Sequence, residues 1–287
     1  MNVRTKENIN AYLFIFPYAL FFVMFIAYML FDGIKNSFYE LSYMKTSFVG
    51  LENYKTLFSD EVFLQATGNT LVFVAVIVLI EIIIGLWIAS TVFDMKPKFI
   101  SFIRIGYYIP TIVSMVVMSI VWAFLLDPKG IINYFLKQTG LGSVNFLGDP
   151  RFALLTVIFV VFTANIGTTI ILYIAAMSGI SLEMLEASDI DGVTRFQKVI
   201  HIIIPIVRPT TVYILITNIV AVIRLFIAIQ LLTGGGPMFS TTTIMYYLYL
   251  NAFKYNKMGI ACAVGVIMFA IAFILSVPQL NKSIRAE

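Results

Sequence analysis

Six long apolar runs, separated by shorter polar stretches, dominate the sequence. They lie at about residues 11–31, 68–93, 103–126, 152–178, 210–232 and 259–280. Each run is close to the 20 residues or so that cross a hydrocarbon core about 30 Å thick. The runs do not alternate between polar and apolar positions, and backbone groups in lipid must find their partners within the chain. The pattern therefore predicts an all-α integral membrane protein with about six transmembrane helices.

Composition excludes an ordinary soluble protein. Hydrophobic residues make up 60% of the 287 positions and charged residues 12%, whereas a soluble domain carries about 25% charged residues. The net charge of +4 comes from Lys and Arg scattered between apolar runs, which argues against a nucleic-acid partner. The single cysteine, Cys262, excludes a disulfide within the chain.

The distribution of basic residues predicts the orientation. The short turn from Asp94 to Arg104 also contains Lys96 and Lys98, whereas the three lysines of the first long loop are spread over residues 32–67. Cytoplasmic loops are the ones enriched in Lys and Arg. We therefore expect both termini in the cytoplasm.

This orientation gives the expected organisation of the chain. We predict a cytoplasmic N-terminal segment at 1–10, a transmembrane domain at 11–280 and a cytoplasmic tail at 281–287. The first apolar run is longer than the apolar part of a signal peptide, and no small-residue cleavage site follows it. We expect it to be retained as a membrane span.

The internal loop at about 178–208 carries the most informative pattern. Charged and apolar residues alternate at helical spacing, which predicts a pair of short amphipathic helices at the membrane surface. Gly192 suits a turn that needs positive φ, and Pro205 suits the point where one helix ends and a span begins. The small residues Ala187 and Ser188 would let a partner approach closely, and the acidic loop could otherwise be an ordinary surface turn.

The spacing of Glu186, Gly192, Ile202 and Pro205 resembles the EAA loop of permease subunits in ABC importers. The third position of the motif is Ser188, and the triplet that ends in Gly192 is similar to the variant found in sugar importers. The resemblance implies a helix that couples the permease to an ATPase. The implied coupling residues are Glu186, Ala187, Ser188, Asp191, Gly192 and Pro205.

Two further blocks are similar to the carbohydrate branch of this family, which includes maltose and glycerol-phosphate permeases. One is an external turn after Leu232, formed by Thr233, Gly234, Gly235, Gly236 and Pro237. The other comprises Ser37-Phe38, residues 48–54 and Asn69-Thr70. The glycines do not follow a strand or precede a lysine, so they do not form a phosphate loop. We interpret them as a flexible turn that lies against a docked binding protein.

The resemblance implies a complete transport system. Its parts are a sister permease that completes a heterodimer, two ABC ATPase subunits, an extracellular substrate-binding protein and a sugar substrate, within the lipid of a bacterial cytoplasmic membrane. The sequence contains no Gly-Lys-Ser/Thr nucleotide motif. We therefore expect no cofactor or metal in this chain, with ATP and Mg bound to the partner ATPase.

Polar residues within the apolar runs are candidates for the substrate path. Glu81 and Arg224 lie within spans, where an ionisable group should face a cavity or a partner. Asn165, Asn218 and Gln230 have the amide groups that bind sugar hydroxyls. The alternatives are a Glu81–Arg224 pair, a neutral Glu81 bonded to a neighbouring helix, and polar contacts that only join helices.

Two other classes of function compete with the permease. A self-sufficient secondary transporter or channel would explain the ionisable residues within spans but not the internal loop at about 178–208, the candidate docking loop. A membrane-embedded enzyme or scaffold would need clustered catalytic residues, and His201 is the only histidine. We expect no catalytic residues, and the sequence leaves the identity of the sugar open.

Overall fold

The computed structural model describes residues 3–42, 45–93 and 95–284. The chain divides into two compact units, one formed by residues 1–60 with 248–270 and the other by residues 61–247 with 271–287. Both units consist mainly of helices, which agrees with the predicted all-α fold. The helices of the N-terminal half are α1 Val3–Phe21, α2 Tyr28–Asn36, α3 Glu52–Ser59, α4 Glu61–Phe93, α5 Pro97–Ile112, α6 Met115–Leu126 and α7 Ile131–Gln138.

The C-terminal half contains the helices α8 Pro150–Met177, α9 Leu182–Ile190, α10 Arg195–Lys198, α11 Ile204–Ile223, α12 Ile227–Leu232, α13 Ile244–Tyr249 and α14 Met258–Ile284. Three π-helical segments, Phe22–Ala27, Val199–Ile203 and Leu250–Lys254, continue neighbouring α-helices. Two short strands, β1 Tyr39–Ser42 and β2 Lys45–Phe48, pair antiparallel. The described residues of the predicted terminal segments 1–10 and 281–287 belong to α1 and α14. Residues 1–2 and 285–287 of these segments lie outside the described ranges.

Six helical segments in the described part of the chain are long and apolar enough to cross a membrane. They are Tyr12–Asn36, Glu61–Phe93, Met115–Gln138, Pro150–Met177, Arg195–Ile223 and Met258–Val277. The predicted number of spans is therefore confirmed, but two predicted boundaries are wrong. The predicted third span, 103–126, is divided between α5 and α6, and the predicted fifth span, 210–232, is divided between α11 and α12.

The larger unit is organised around α8, which packs against α4, α5, α6, α11 and α12. Small residues allow two of these contacts to be close. A Cβ on Gly167 would overlap the carbonyl oxygen of Tyr107 in α5, and a Cβ on Gly85 in α4 would lie 2.6 Å from Thr169 Cγ2. Small residues let helix backbones approach closely in a membrane, which explains these glycines at the centre of the bundle.

Both divided spans have polar groups at their breaks. Between α5 and α6, Val113 and Ser114 are extended, and the Ser114 side chain accepts a hydrogen bond from Val117 N as the cap of α6. Between α11 and α12 the helix stops at Arg224, and Phe226 leaves the helical conformation. Non-helical backbone at membrane depth is tolerated where it is covered by protein or lines a water-filled cavity.

The smaller unit is held together by the residues of the first long loop. Asn53 donates through Nδ2 to the carbonyl oxygens of Ser37 and Tyr39, at 2.8 and 2.9 Å. The hydroxyl groups of Ser37 and Tyr54 are 2.7 Å apart. A Cβ on Gly259, near the start of α14, would overlap the Tyr39 carbonyl. The polar residues of this loop therefore join the β1–β2 hairpin, α3 and the start of α14.

Candidate docking loop and translocation path

The internal loop folds as two helices around a tight turn, as the pattern predicts. Ser181 caps α9 by accepting a hydrogen bond from Met184 N. The chain reverses at Gly192, whose φ of +70° confirms the predicted need for a glycine. Thr194 then begins α10 with a reciprocal capping box that involves Gln197.

A salt bridge joins α9 to α10, and two side chains of the loop are buried. The Lys198 ammonium lies 2.7 Å from Asp189 Oδ1, and the lysine itself is almost fully buried. Ser188 is also buried, and its hydroxyl donates to Leu185 O at 2.6 Å. The expectation that Ser188 lies on the docking face with Ala187 is therefore wrong, because its small side chain lets α9 pack inward.

The outer face of the loop is exposed. Glu186, Ala187 and Asp191 are accessible, together with two large apolar residues that are not among the predicted coupling residues. Ile190 is 87% exposed and Phe196 is 74% exposed. Because Ile190 lies one turn after Glu186, the two share a face with one acidic and one apolar group, which suits a protein partner.

Pro205 does not end a helix, contrary to the prediction. It is the second residue of α11, and the helical path runs without a break from Arg195 to Ile223. The π-helical segment Val199–Ile203 precedes it, with Ile204 N bonded to Val199 O. A proline clashes with the carbonyl four residues earlier in a regular α-helix, and the wider π turn accommodates its ring. The docking loop is therefore continuous with a membrane span.

Arg195 connects the docking loop to the end of α4. Its Nη2 donates to the carbonyl oxygens of Ser90 and Thr91 at 3.3 and 2.8 Å. The last carbonyls of a helix have no partner within the helix, so the guanidinium group acts as a cap. These two hydrogen bonds therefore join α10 to the end of α4.

The structure brings Glu81 and Asn218 together. Glu81 is 2% exposed, and its Oε2 accepts a hydrogen bond from Asn218 Nδ2 at 2.5 Å. Asn218 Nδ2 also lies 3.4 Å from Thr169 Oγ1, so one polar cluster joins α4, α8 and α11. Glu81 Oε1 has no hydrogen-bond partner within the described ranges. This geometry matches the alternative in which Glu81 bonds to a neighbouring helix.

The other predicted path residues lie on separate elements. Arg224 is exposed at the break between α11 and α12, and no ion pair joins it to Glu81 among the residues that the structure describes. Asn165 is exposed on α8. Gln230 is half-buried on α12, and its Oε1 has no partner within the same described part of the chain.

The external turn after α12 is tightly constrained, which corrects the interpretation of a flexible turn. Gly234 and Gly235 have φ of +58° and +81°. Thr242 Oγ1 donates to Gly235 O and Thr241 Oγ1 donates to Gly236 O, both at 2.8 Å. Thr233 contributes a further hydroxyl contact, and the peptide bond before Pro237 is cis. The fixed turn places Met238 and Phe239 outward, with Met238 82% exposed.

Three consecutive threonines were missed by sequence reasoning. Residues 241–243 are completely buried, and Thr243 Oγ1 donates to Leu225 O at 2.8 Å. This bond satisfies a carbonyl that the broken helix leaves without a helical partner. The polar block Asn69-Thr70 contacts this segment, because Asn69 Nδ2 donates to the carbonyl oxygens of Phe239 and Thr242. That block was the sequence feature that could have led to the threonines.

Comparison with known proteins identifies the family. Residues 81–285 match the family described as "Binding-protein-dependent transport system inner membrane component". The chain belongs to this family. This permease is 33% identical over 274 residues to the multiple sugar-binding transport system permease protein MsmF of Streptococcus mutans, with 92% of each chain covered. It is 30% identical over 282 residues to the probable ABC transporter permease protein YurN of Bacillus subtilis, with 96% of each covered.

The fold of the permease is also similar to that of a solved transporter. A chain in the crystal structure of a bacterial ABC transporter that imports the acidic polysaccharide alginate has a TM-score of 0.86 and 25% identity, over 98% of this chain and 96% of the other. The protein is therefore a multi-pass membrane permease of a binding-protein-dependent importer. The self-sufficient transporter that the sequence left open is disfavoured by this membership.

Proposed function

We propose that this permease forms one half of the translocation path of an ATP-driven importer for a sugar or oligosaccharide. The continuous connection from docking loop to span is the observation that carries the proposal. An exposed acidic and apolar face on α9 is fixed to α10, and α10 leads without a break into α11. A transporter that is not driven by a cytoplasmic ATPase does not need this arrangement.

The exposed face of the docking loop suits an ATPase subunit. Glu186 and Ile190 offer a charge and an apolar contact, and Ala187 lets the partner surface approach. ATP and Mg bind to the ATPase, and two ATPase subunits serve the permease and its sister. Closure of the ATPases pushes α9, and Arg195 passes the movement to the end of α4.

The broken helix supplies the groups for a sugar path. Arg224 is exposed where α11 ends, and the half-buried Gln230 has an unsatisfied amide oxygen. Asn165 adds an exposed amide on α8, the central helix. Amide and guanidinium groups recognise hydroxyl-rich ligands through hydrogen bonds, so these three residues fit a polyol substrate. The sugar-binding system of the MsmF relative supports the same class of substrate.

The remaining partners follow from the exposed surfaces. The rigid turn at 233–243 presents Met238 and Phe239 as a contact for an extracellular binding protein. The span Tyr12–Asn36 has no buried residue, which suits membrane lipid or a sister permease in a heterodimer. We place the complex in a bacterial cytoplasmic membrane with both termini in the cytoplasm, as the exposed Lys96 and Lys98 favour.

Reversal of one charge tests the docking loop. We expect Glu186→Lys to lose co-purification of the ATPase and ATP-driven uptake, and Ile190→Ser to weaken both. Glu52→Lys is the matched control, because Glu52 is an exposed carboxylate on α3 outside the docking loop. It should retain the ATPase. Normal transport by Glu186→Lys, with its partners in place, would contradict the proposal.

A further inference from the structure

An apolar groove of about 510 Å³ lies on the outer surface of the bundle, where α4 passes the start of the fifth span. Its apolar lining consists of Ile82, Ile83, Leu86, Trp87, Phe196 and Val199. Trp87 is 67% exposed within this groove. Tryptophan is enriched where a span meets the membrane interface, so the groove has the position and composition expected for contact with lipid.

The groove ends in a polar rim. Ser90, Thr91 and Arg195 line this end, and Arg195 uses only Nη2 in its two bonds to the carbonyls of α4. A guanidinium group has five N–H donors on three nitrogens. No carboxylate pairs with Arg195 among residues 3–42, 45–93 and 95–284. The Arg195 guanidinium group therefore has unused N–H donors at the end of the apolar groove.

Nearby charges extend the positive rim. Lys96 and Lys98 are exposed and follow Thr91 by five and seven residues. Five residues of extended chain reach at most about 18 Å, so Lys96 lies within that distance of the rim. A ligand that matches these features has an anionic head and an apolar tail. Membrane anionic lipids have this chemistry, and basic clusters at the end of a span attract them.

We propose that the groove binds an anionic phospholipid, with its phosphate on Arg195 and an acyl chain along α4 beside Trp87. Charge complementarity favours this occupant over zwitterionic lipid, because Arg195, Lys96 and Lys98 form no ion pair with a carboxylate among the residues that the structure describes. The bound lipid joins the end of α4 to the docking loop, since Arg195 and Phe196 belong to one element and Trp87 to the other. The site is independent of the substrate that the importer carries.

The two tryptophans of the chain make a direct test. The assembled transporter is placed in nanodiscs of phosphatidylcholine, and the fluorescence difference between the parent and Trp87→Phe isolates the signal of Trp87 from Trp122 and from the partners. Brominated phosphatidylglycerol or brominated phosphatidylcholine is then titrated as the quencher. We expect phosphatidylglycerol to half-quench Trp87 at a mole fraction about fivefold lower than phosphatidylcholine.

Two variants and one competition assign the effect. Arg195→Gln should abolish the preference for phosphatidylglycerol, whereas Arg208→Gln, an exposed cation farther along the same helix, should retain it. If Arg195→Gln does not assemble, unbrominated phosphatidylglycerol must reverse the quenching of the parent while phosphatidylcholine does not. Equal quenching by both lipids would reduce the groove to ordinary lipid contact, and absence of quenching would show that a protein partner covers it. Either result overturns the proposal.

Discussion

Replacement of Gly167 by alanine tests the contact that positions the divided α5–α6 segment. A Cβ at this position overlaps the carbonyl oxygen of Tyr107 and lies 2.8 Å from its carbonyl carbon. Ordinary van der Waals contact begins near 3.4 Å. Relief of the contact with the carbonyl carbon alone needs a separation of about 0.6 Å between α5 and α8, and the carbonyl oxygen, which lies closer still, requires a larger one. A backbone group in a packed helix cannot rotate away as a side chain can.

The expected cost follows from two opposing effects. Overpacking at a close contact costs about 1–3 kcal/mol, and alanine gains about 1 kcal/mol over glycine within a helix. Because the neighbour is backbone, we place the overpacking cost at the upper end, which leaves a net loss of about 2 kcal/mol. A unit of roughly 200 residues loses about 2–4 °C in Tm for each kcal/mol, so Tm should fall by about 4–8 °C.

The assay measures Tm in detergent. The purified protein is heated to a series of temperatures, and size-exclusion chromatography then gives the fraction that remains folded at each one. Gly106→Ala is the matched control, because Gly106 lies in α5 and nothing surrounds its Cβ position within 4 Å. We expect its Tm to be unchanged or raised. If the two variants have the same Tm, or if Gly167→Ala is the more stable, the close contact between α5 and α8 is refuted.

Three further predictions concern the loops. Gly235→Ala should lower yield and Tm, because φ is +81° and the added Cβ would lie 2.6 Å from buried side chains. Gly236→Ala should leave both quantities unchanged, and equal effects of the two variants would contradict the rigid turn. Asn133 is fully buried and bonds to residues 127 and 144, so Asn133→Ala should speed proteolysis within residues 127–149, and unchanged cleavage would contradict this role. Hydrogen bonds from Arg151 lower the pKa of Asp149 to about 2, so their stabilisation is present above about pH 4 and lost as pH falls to 2. Asp149→Asn keeps the helix cap but loses this charge pair, and its Tm should vary less with pH over that window than the parent's.

The sequence was sufficient for features that depend on local chemistry. Apolar runs of span length predicted six membrane-crossing segments, because burial in lipid constrains composition along the whole of each helix. The glycine in the docking loop was identifiable because a reversal between two helices requires positive φ, and Gly192 has it. The polar cluster in the membrane was recognisable by its types, although its pairing was not, since Glu81 and Asn218 are 137 positions apart.

Breaks within the spans were not predictable from hydropathy. Arg224 looked like a charge within one continuous helix, but the helix stops there, and Thr243, from a later segment, donates a hydrogen bond to the carbonyl oxygen of Leu225. Pro205 looked like a helix end, but a π-helical turn accommodates it. In the first case a distant hydrogen bond, and in the second a local change of helix type, permits a backbone conformation that the residue types alone do not predict. Ser188 is a third case, because its small side chain allows the packing of α9 that buries it, and the sequence shows its size but not which face of α9 is packed inward.

We propose that this permease transports only as part of an ATP-driven, binding-protein-dependent complex. The most direct measurement is uptake of a labelled oligosaccharide, chosen because the purified binding protein binds it, into proteoliposomes containing the permease, its sister and the ATPases. We expect uptake only when ATP and the binding protein are both present, and none by the permease alone. Uptake by the permease alone, driven by an ion gradient and indifferent to ATP, would contradict it.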